Sequence, residues 1–301
     1  MKIIRTRKNE YFLLPVAIFA ISTASIFIRF AQNELSSVVI ATYRLAFASL
    51  FLLPFSIHPS LRALHGMSKK AIGLLFASGI FLAMHFATWI ISLEYTSIIA
   101  SVVLVTTTPI WVALLSPLIT NDKPSKKFWV GLIIAMIGII ILSGGPQARP
   151  NDINQAAFIK RMIGNGLALL GAICAAFYVI IGRIMRRTLS NKVYTFGVYL
   201  FAALALILVT IILPGQSLCI TVQDLKWILL LALIPQLIGH TLINRFLGSM
   251  PAHQVSTFLL GEPVGSAILA FIFFQEVPGI GEMIGSAIIL IGLIIAIVKK
   301  R

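Results

Sequence analysis

The stretch Ala252–Phe274, AHQVSTFLLGEPVGSAILAFIFF, is long and apolar enough to cross a bilayer as a helix. Its one carboxylate, Glu262, lies ten residues past Ala252 and is followed at once by Pro263. At a rise of about 1.5 Å per residue, Glu262 lies about 15 Å in, near the middle of a hydrocarbon layer roughly 30 Å thick. A charge at that depth is costly, so we expect Glu262 to face a bundle interior or a wet cavity.

Pro263 predicts a break in this helix beside Glu262. Proline has no amide hydrogen, so the carbonyl four residues back, at Leu259, loses its partner. A membrane tolerates such a turn where it lines a cavity or is covered by other helices. We therefore place the working site of a transport protein here. The alternative is a protonated Glu262 that bonds to a neighbouring helix and only holds the bundle together.

The composition requires a bilayer around most of the chain. Of 301 residues, 59% are hydrophobic and 11% charged, and the mean hydropathy is +1.00. Soluble domains carry about 25% charged residues. The net charge of +15 does not indicate nucleic acid, because the basic residues lie at the ends of apolar segments. Cys174 and Cys219 give no disulfide or metal spacing, so neither metal nor cofactor is expected.

Ten apolar segments predict an all-α membrane protein with ten transmembrane helices. They are Phe12–Phe30, Ser36–Ile57, Ala71–Leu93, Ser97–Ile119, Phe128–Ser143, Gly164–Met185, Val193–Leu213, Leu225–Leu247, Ala252–Phe274 and Ile280–Val298. The first segment shows no cleavage site made of small residues, so we expect a retained span rather than a signal peptide. Residues 144–163 are rich in Gly, Pro, Asn and Gln and predict a linker between the halves 1–143 and 164–301.

The distribution of Lys and Arg predicts the orientation. With the N-terminus in the cytoplasm, cytoplasmic loops hold eighteen basic residues and the opposite side four. This bias is typical of cytoplasmic loops. We therefore expect both termini in the cytoplasm, and a protein of a bacterial-type cytoplasmic (inner) membrane.

A shift of 154 residues lays the second half on the first without a gap. The matched pairs include Arg29 with Arg183, Leu35-Ser36 with Leu189-Ser190, Phe47-Ala48 with Phe201-Ala202, Pro109 with Pro263, Asp122 with Glu276, Pro124 with Pro278, Gly131 with Gly285 and Gly138 with Gly292. Each half has five predicted spans, and an odd number means that the second copy enters from the opposite face. Such inverted repeats support alternating access, with the site between the copies near the midplane. Thr108 precedes Pro109 in span four, so Pro109 and Pro263 mark two equivalent helix breaks.

Several segments carry a family resemblance. They are YTSIIASVVLVTTTPIWVALLSPLI (95–119), MPAHQVSTFLLGEPVGSAILAFIFFQE (250–276) and GEMIGSAIILIGLIIAI (281–297), together with the arginine of ATYRLAFASLFLLPF. These resemble EamA-type domains of the drug/metabolite transporter superfamily over nearly the whole chain. The resemblance implies two inverted five-helix repeats, cytoplasmic termini and transport of small metabolites such as amino acids.

Span two offers Arg44, which follows Tyr43. A guanidinium at membrane depth suits a substrate carboxylate or a buried acid. The alternative is a fixed ion pair, or contacts to carbonyl groups, that locks the helix. A pair between Arg44 and Glu262 would require spans two and nine to meet.

Two further spans carry polar groups on one face. In span three, His85 and Trp89 lie four apart and share a face. They suit stacking or hydrogen bonding to an organic substrate. The alternatives are a bond between helices for His85 and an interfacial anchor for Trp89. Tyr178, among small residues of span six, is a pathway candidate.

Span eight carries one polar stripe. Gln236, His240 and Asn244 follow one another at steps of four, beside Pro235. A stripe facing lipid would be costly, so we expect it to point inward. Lining the pathway and joining the helices remain open as roles. Pro235 is expected to loosen the helix.

No enzyme motif is present in the sequence. Ser266 lacks a GxSxG frame, and HExxH and Walker sequences are absent. Together with the family resemblance, which implies small metabolites such as amino acids as cargo, this predicts a secondary carrier that exports small organic metabolites, amino acids or related solutes, as a monomer or homodimer among membrane lipids. Glu262 is the candidate for proton coupling, since burial favours a neutral carboxyl. The alternatives are an importer or exchanger of a nutrient, such as an amino-acid derivative or a nucleotide-like cofactor, and an intramembrane enzyme or a pore.

Overall fold

The protein, described as a computed structural model over residues 12–96, 98–143, 155–274 and 280–297, is helical throughout these ranges and contains no strand in them. The α-helices are α1 (Leu13–Ser22), α2 (Ala24–Ala31), α3 (Ser37–His65), α4 (Lys69–Tyr95), α5 (Ile98–Val105), α6 (Thr108–Ile119), α7 (Lys126–Ser143), α8 (Gln155–Met185), α9 (Asn191–Ile212), α10 (Val222–Leu231), α11 (Thr241–Leu247), α12 (Ala252–Thr257), α13 (Glu262–Phe274) and α14 (Ile280–Ile297). A π-helix (Ala232–His240) joins α10 to α11, and a 3₁₀ turn (Phe258–Gly261) joins α12 to α13.

Eight helical runs are long and apolar enough to cross a membrane. They are Leu13–Ala31, Ser37–Gly66, Lys69–Tyr95, Ala100–Ile119, Phe158–Met185, Asn191–Ile212, Val222–Leu247 and Ala252–Phe273. The prediction of an all-α membrane protein is confirmed for the described residues. Two more apolar helices, α7 and α14, pack along each other.

Spans four and nine are both interrupted next to a proline. In span four, α5 ends at Val105 and Pro109 lies in the first turn of α6. Pro109 has no amide hydrogen for the Val105 carbonyl, and the Thr108 hydroxyl donates to that carbonyl instead, at 2.8 Å. In span nine, the 3₁₀ turn precedes Pro263. Both breaks therefore follow from the missing donor of a proline.

Two predicted boundaries differ from the structure. α3 continues past Ile57 to His65, although Pro54 and Pro59 lie inside it. α8 begins at Gln155, so the later part of the predicted linker 144–163 is helical. Its sequence, QAAFIKRM, consists largely of good helix formers, which extends the helix beyond the apolar segment. The predictions for Glu276, Pro278 and both termini concern residues outside the described ranges.

Glycines allow α7 and α14 to touch through their backbones. A methyl group added to Gly138 would meet the amide nitrogen of Ile289 at 2.7 Å and the carbonyl oxygen of Gly285 at 2.8 Å. One added to Gly292 would meet the amide of Ala135 at 2.5 Å. The structure uses these glycines for packing within the chain.

Candidate functional site

A cavity lies between the interrupted spans, at the middle of the molecule. Its lining comes from both halves and consists of Ile21, His85, Trp89, Val105, Thr106, Thr108, Ala175, Tyr178, Val179, His240, Ile243, Leu259 and Glu262. The space within this lining, open solvent included, is about 510 Å³. The lining combines many apolar side chains with a few polar groups, as sites for small organic molecules do.

Glu262 occupies the break in span nine. It is the first residue of α13, is 6% exposed and lines the cavity. Its backbone carbonyl accepts a hydrogen bond from Ser22 of α1 at 3.3 Å. The carboxyl group therefore faces the protein interior and lies at a seam between the first and second halves.

His85 and Trp89 form one wall of the cavity. Their rings are nearly parallel, 8° apart, with centroids separated by 6.1 Å. Nδ1 of His85 lies 2.9 Å from the carbonyl oxygen of Gly171. A carbonyl only accepts, so Nδ1 carries the hydrogen and Nε2 of the neutral ring is left as an acceptor. Trp89 is buried, at 3% exposed, and is not an interfacial anchor.

The polar stripe of span eight faces the interior, and each member has a different neighbour. Gln236 lies in the π-helix beside Arg44. His240 lines the cavity. Asn244 accepts a hydrogen bond from the Tyr178 hydroxyl at 2.6 Å, and Tyr178 lines the cavity as well.

Arg44 is fully buried just behind this wall. Its Nε donates to Oε1 of Gln236 at 2.8 Å, and its guanidinium carbon lies 4.0 Å from the centre of the Phe86 ring. Its two terminal nitrogens have no hydrogen-bond partner. The fixed ion pair or carbonyl contacts considered for Arg44 are therefore not made here. No ion pair joins Arg44 to Glu262, both of which belong to the described residues.

Tyr43 lies apart from the cavity. It stacks on Phe47, with ring centroids 5.7 Å apart, and its hydroxyl donates to the carbonyl of Leu218 in the loop before α10. Tyr43 and Arg44 are consecutive, and consecutive helix residues point about 100° apart. The structure thus does not bring Tyr43 together with the other candidates. Thr108 does line the cavity, but its hydroxyl is engaged with the backbone.

One end of the bundle carries a charged cluster that joins the halves. Asp122 pairs with Arg183 at 3.2 Å and with Arg187 at 3.5 Å. Arg183 also donates to the carbonyl of Leu247 at 2.9 Å. Burial lowers the pKa of Arg186 to about 10, which leaves it charged at neutral pH.

The sequence missed two aromatic side chains near the site. Phe86 contacts His85 and His240, with ring centroids 4.7 and 5.3 Å away. Tyr199, fully buried, donates to the carbonyl of Gln236 at 3.2 Å. Both lie on apolar helices that offer no local signal for such a role. Within the described ranges, no three His, Cys, Asp or Glu side chains are grouped to hold a metal.

The family now follows from comparison with known proteins. The EamA-like transporter family matches residues 8–144 and again residues 162–298, so the two matches start 154 residues apart. The chain belongs to the EamA-like transporter family. This confirms the resemblance and makes the protein a membrane transporter.

Relatives of this EamA-like chain carry transporter names. It is 24% identical to the uncharacterized transporter YetK of Bacillus subtilis (strain 168), over 86% of this chain and 77% of the relative. An uncharacterized transporter of Archaeoglobus fulgidus is 24% identical over 91% and 93% of the two chains. A solved crystal structure matches with a TM-score of 0.74 at 15% identity, covering 97% of each chain, which shows the shared fold.

Proposed function

We propose that this protein is a secondary carrier that exports small organic metabolites, amino acids or related solutes, by alternating access. The observation that carries the proposal is the cavity that both halves line where spans four and nine break. Discontinuous helices around a central site are typical of such carriers. We place the carrier in a bacterial-type inner membrane with both termini in the cytoplasm.

The pairing of helices supports ten spans arranged as two inverted repeats. α4 packs on α8, and the equivalent pair after a shift of 154 residues, the π-helix and α1, also packs. α7 and α14 are equivalent to each other and pack together, each with 18 residues. Eighteen residues rise about 27 Å, close to the thickness of a bilayer core.

Glu262 is the proposed coupling group. It is the one carboxylate lining the cavity, and it lies at the break beside Ser22 of the other half. A carboxyl that binds a proton on one face and releases it on the other can link solute movement to a proton gradient. Rearrangement of the halves would change the surroundings of Glu262, which is what such coupling requires.

Transport by purified protein in liposomes tests the carrier. We expect saturable exchange of at least one member of a mixture of the twenty ¹⁴C-labelled protein amino acids. Ala175→Trp fills the cavity and should abolish exchange. Leu170→Trp, on the same helix but 42% exposed on the outer surface, is the matched control and should retain it. Flux that never saturates with solute concentration would indicate a pore. Absence of exchange for every amino acid in the mixture would refute amino acids as the transported solutes.

The same liposomes test coupling. Glu262→Gln keeps the shape of the side chain and removes the titratable group. We expect a pH gradient to drive net transport by the parent protein and not by this variant, while exchange without a gradient persists. An unchanged dependence on the gradient would refute a coupling role for Glu262.

A further inference from the structure

The hydrogen-bond donors around Arg44 exceed the acceptors. Arg44 and Gln236 are both 0% exposed. Nη1 and Nη2 of Arg44, and Nε2 of Gln236, have no partner. Since arginine only donates, Oε1 of Gln236 must face it, which leaves the amide nitrogen of Gln236 as a free donor. Leaving a buried donor unpaired is unfavourable, and more so when the donor is charged.

Among the residues that the structure describes, no carboxylate pairs with this cluster. Glu262 is near enough to influence Arg44 electrostatically but forms no ion pair with it. The other groups that act on Arg44 or respond to its charge are Tyr199, His85 and His240. None of these neutral side chains balances a buried guanidinium. The missing partner is an anion with several acceptor atoms.

The cluster is adjacent to the cavity. Phe86 lies under the guanidinium and touches His85 and His240, both of which line the cavity. Trp89, the next lining residue, presents one more buried donor, Nε1, without a partner. Gln236 belongs to the π-helix, a form of helix that is frequent at functional sites. Buried donors without partners therefore lie at and behind the wall that His85 and Trp89 form.

We propose that Arg44 and Gln236 form an anion subsite that holds a carboxylate of the transported solute. A carboxylate has two acceptor oxygens whose spacing fits the terminal nitrogens of arginine. The Gln236 amide supplies a third donor beside them. In this conformation the subsite is closed behind Phe86, and it joins the cavity when the two halves rearrange. The identity of the anion as cargo rests on the proposed carrier function, whereas the anion binding does not.

Carboxylates and their amides provide a test on the full-length purified protein. Acetate and benzoate would be compared with acetamide and benzamide, and with sodium chloride at equal ionic strength, by thermal unfolding. We expect at least one carboxylate to raise the Tm by about 2–4 °C at saturation, because a ligand of the folded state stabilises it. The amides and chloride should not. An equal shift by amide or chloride, or none by either carboxylate, would overturn the proposal.

Two substitutions locate the effect. Arg44→Gln should raise the Kd of the carboxylate at least about 10-fold, as expected for a charged bond. Gln236→Glu places a carboxylate against Arg44 within the chain, so it should remove the response to added carboxylate without lowering the Tm. This variant keeps the test decisive if Arg44→Gln fails to fold. Lys123→Gln, at an exposed position, should leave the shift unchanged.

The two proposals fail in different ways. Saturable amino-acid exchange with no carboxylate-specific shift in the Tm would leave the carrier standing and remove the subsite. A carboxylate-specific shift that Gln236→Glu abolishes, together with flux that does not saturate, would retain the subsite and refute the carrier.

Discussion

The two halves of the chain pack through equivalent positions but carry different polar groups. At a shift of 154 residues, Arg29 donates to the carbonyl of Leu93 at 3.3 Å, and Arg183 donates to that of Leu247 at 2.9 Å. The polar residues near the cavity have no such counterparts. Arg44 corresponds to Val198, His85 to Gly239, Gln236 to Leu82, His240 to Phe86 and Glu262 to Thr108.

One helix crossing shows the difference directly. Where α4 crosses α8, Nδ1 of His85 bonds to the carbonyl oxygen of Gly171. At the equivalent crossing, the position of His85 is taken by Gly239, where an added methyl would lie 2.6 Å from Cγ1 of Ile21 and in ordinary contact, at 3.4 Å, with the carbonyl oxygen of Ala17. Equivalent positions meet at both crossings, but only the first has a histidine at this position.

This division has a physical cause. Each half must bury the same kinds of helix face, so packing constrains both alike. A buried charge without a partner costs several kcal/mol, so nothing favours repeating Arg44 or Glu262 in the other half. The halves therefore share the packing glycines of α7 and α14 and the prolines of spans four and nine, and they differ in the polar groups near the cavity.

The largest effect is expected at the glycines that both halves share. Gly138→Val and Gly292→Val each force a side chain into backbone atoms 2.5–2.7 Å away, which cannot move aside. We expect each to destabilise the protein by about 3 kcal/mol or more, measured as a loss of monodisperse protein and a lower Tm. Gly73→Val, where nothing lies within 4 Å, is the control. Unequal losses at Gly138 and Gly292 would contradict their equivalence.

The second-largest effect is expected at Glu262 in the second half and not at the equivalent Thr108 in the first half. Glu262→Thr copies the residue at the equivalent position, and we expect net transport driven by a pH gradient to fall at least ~10-fold, or about 1.4 kcal/mol. Thr108→Val should change transport less than about 3-fold, since the Thr108 hydroxyl bonds only to backbone carbonyls. Rates in liposomes at matched amounts of folded protein decide this. Similar losses for both variants would mean that the chemistry is shared rather than divided.

A smaller effect is expected at the charged cluster between the halves. Asp122→Asn removes the carboxylate that pairs with Arg183 and Arg187. The side chains of Asp122 and Arg183 are 17% and 13% exposed, so we expect a loss of about 1 kcal/mol, smaller at high salt. Chemical unfolding at two salt concentrations measures it, with Lys123→Gln as the control. A loss of stability that is the same at both salt concentrations would exclude an electrostatic origin.

The sequence predicted the helices and much of the site, because both depend on local signals. Pro109 and Pro263 each lack a donor wherever they stand, and a carboxylate in an apolar run must face inward. The sequence could not predict the distances between side chains that lie on different helices. The contact of Arg44 with Phe86, and the absence of an ion pair with Glu262, depend on how three separate helices pack.

Tyr43 shows the limit of such local signals, because an aromatic hydroxyl beside Arg44 resembles a site residue in sequence. The helical step between them turns it toward Phe47 and the Leu218 carbonyl.

Tyr43→Phe should therefore have the smallest effect. It removes one hydrogen bond at a half-buried position outside the cavity, so we expect a loss of stability of about 1 kcal/mol or less. Transport and the response to carboxylates should stay within about 2-fold, because no lining group changes. Tyr178→Phe is the contrast, since that hydroxyl bonds to Asn244 at the cavity wall. If Tyr43→Phe impaired transport as much as Glu262→Thr, the pathway would extend along α3 to the Leu218 loop, and the division between packing and chemistry would have to be redrawn there.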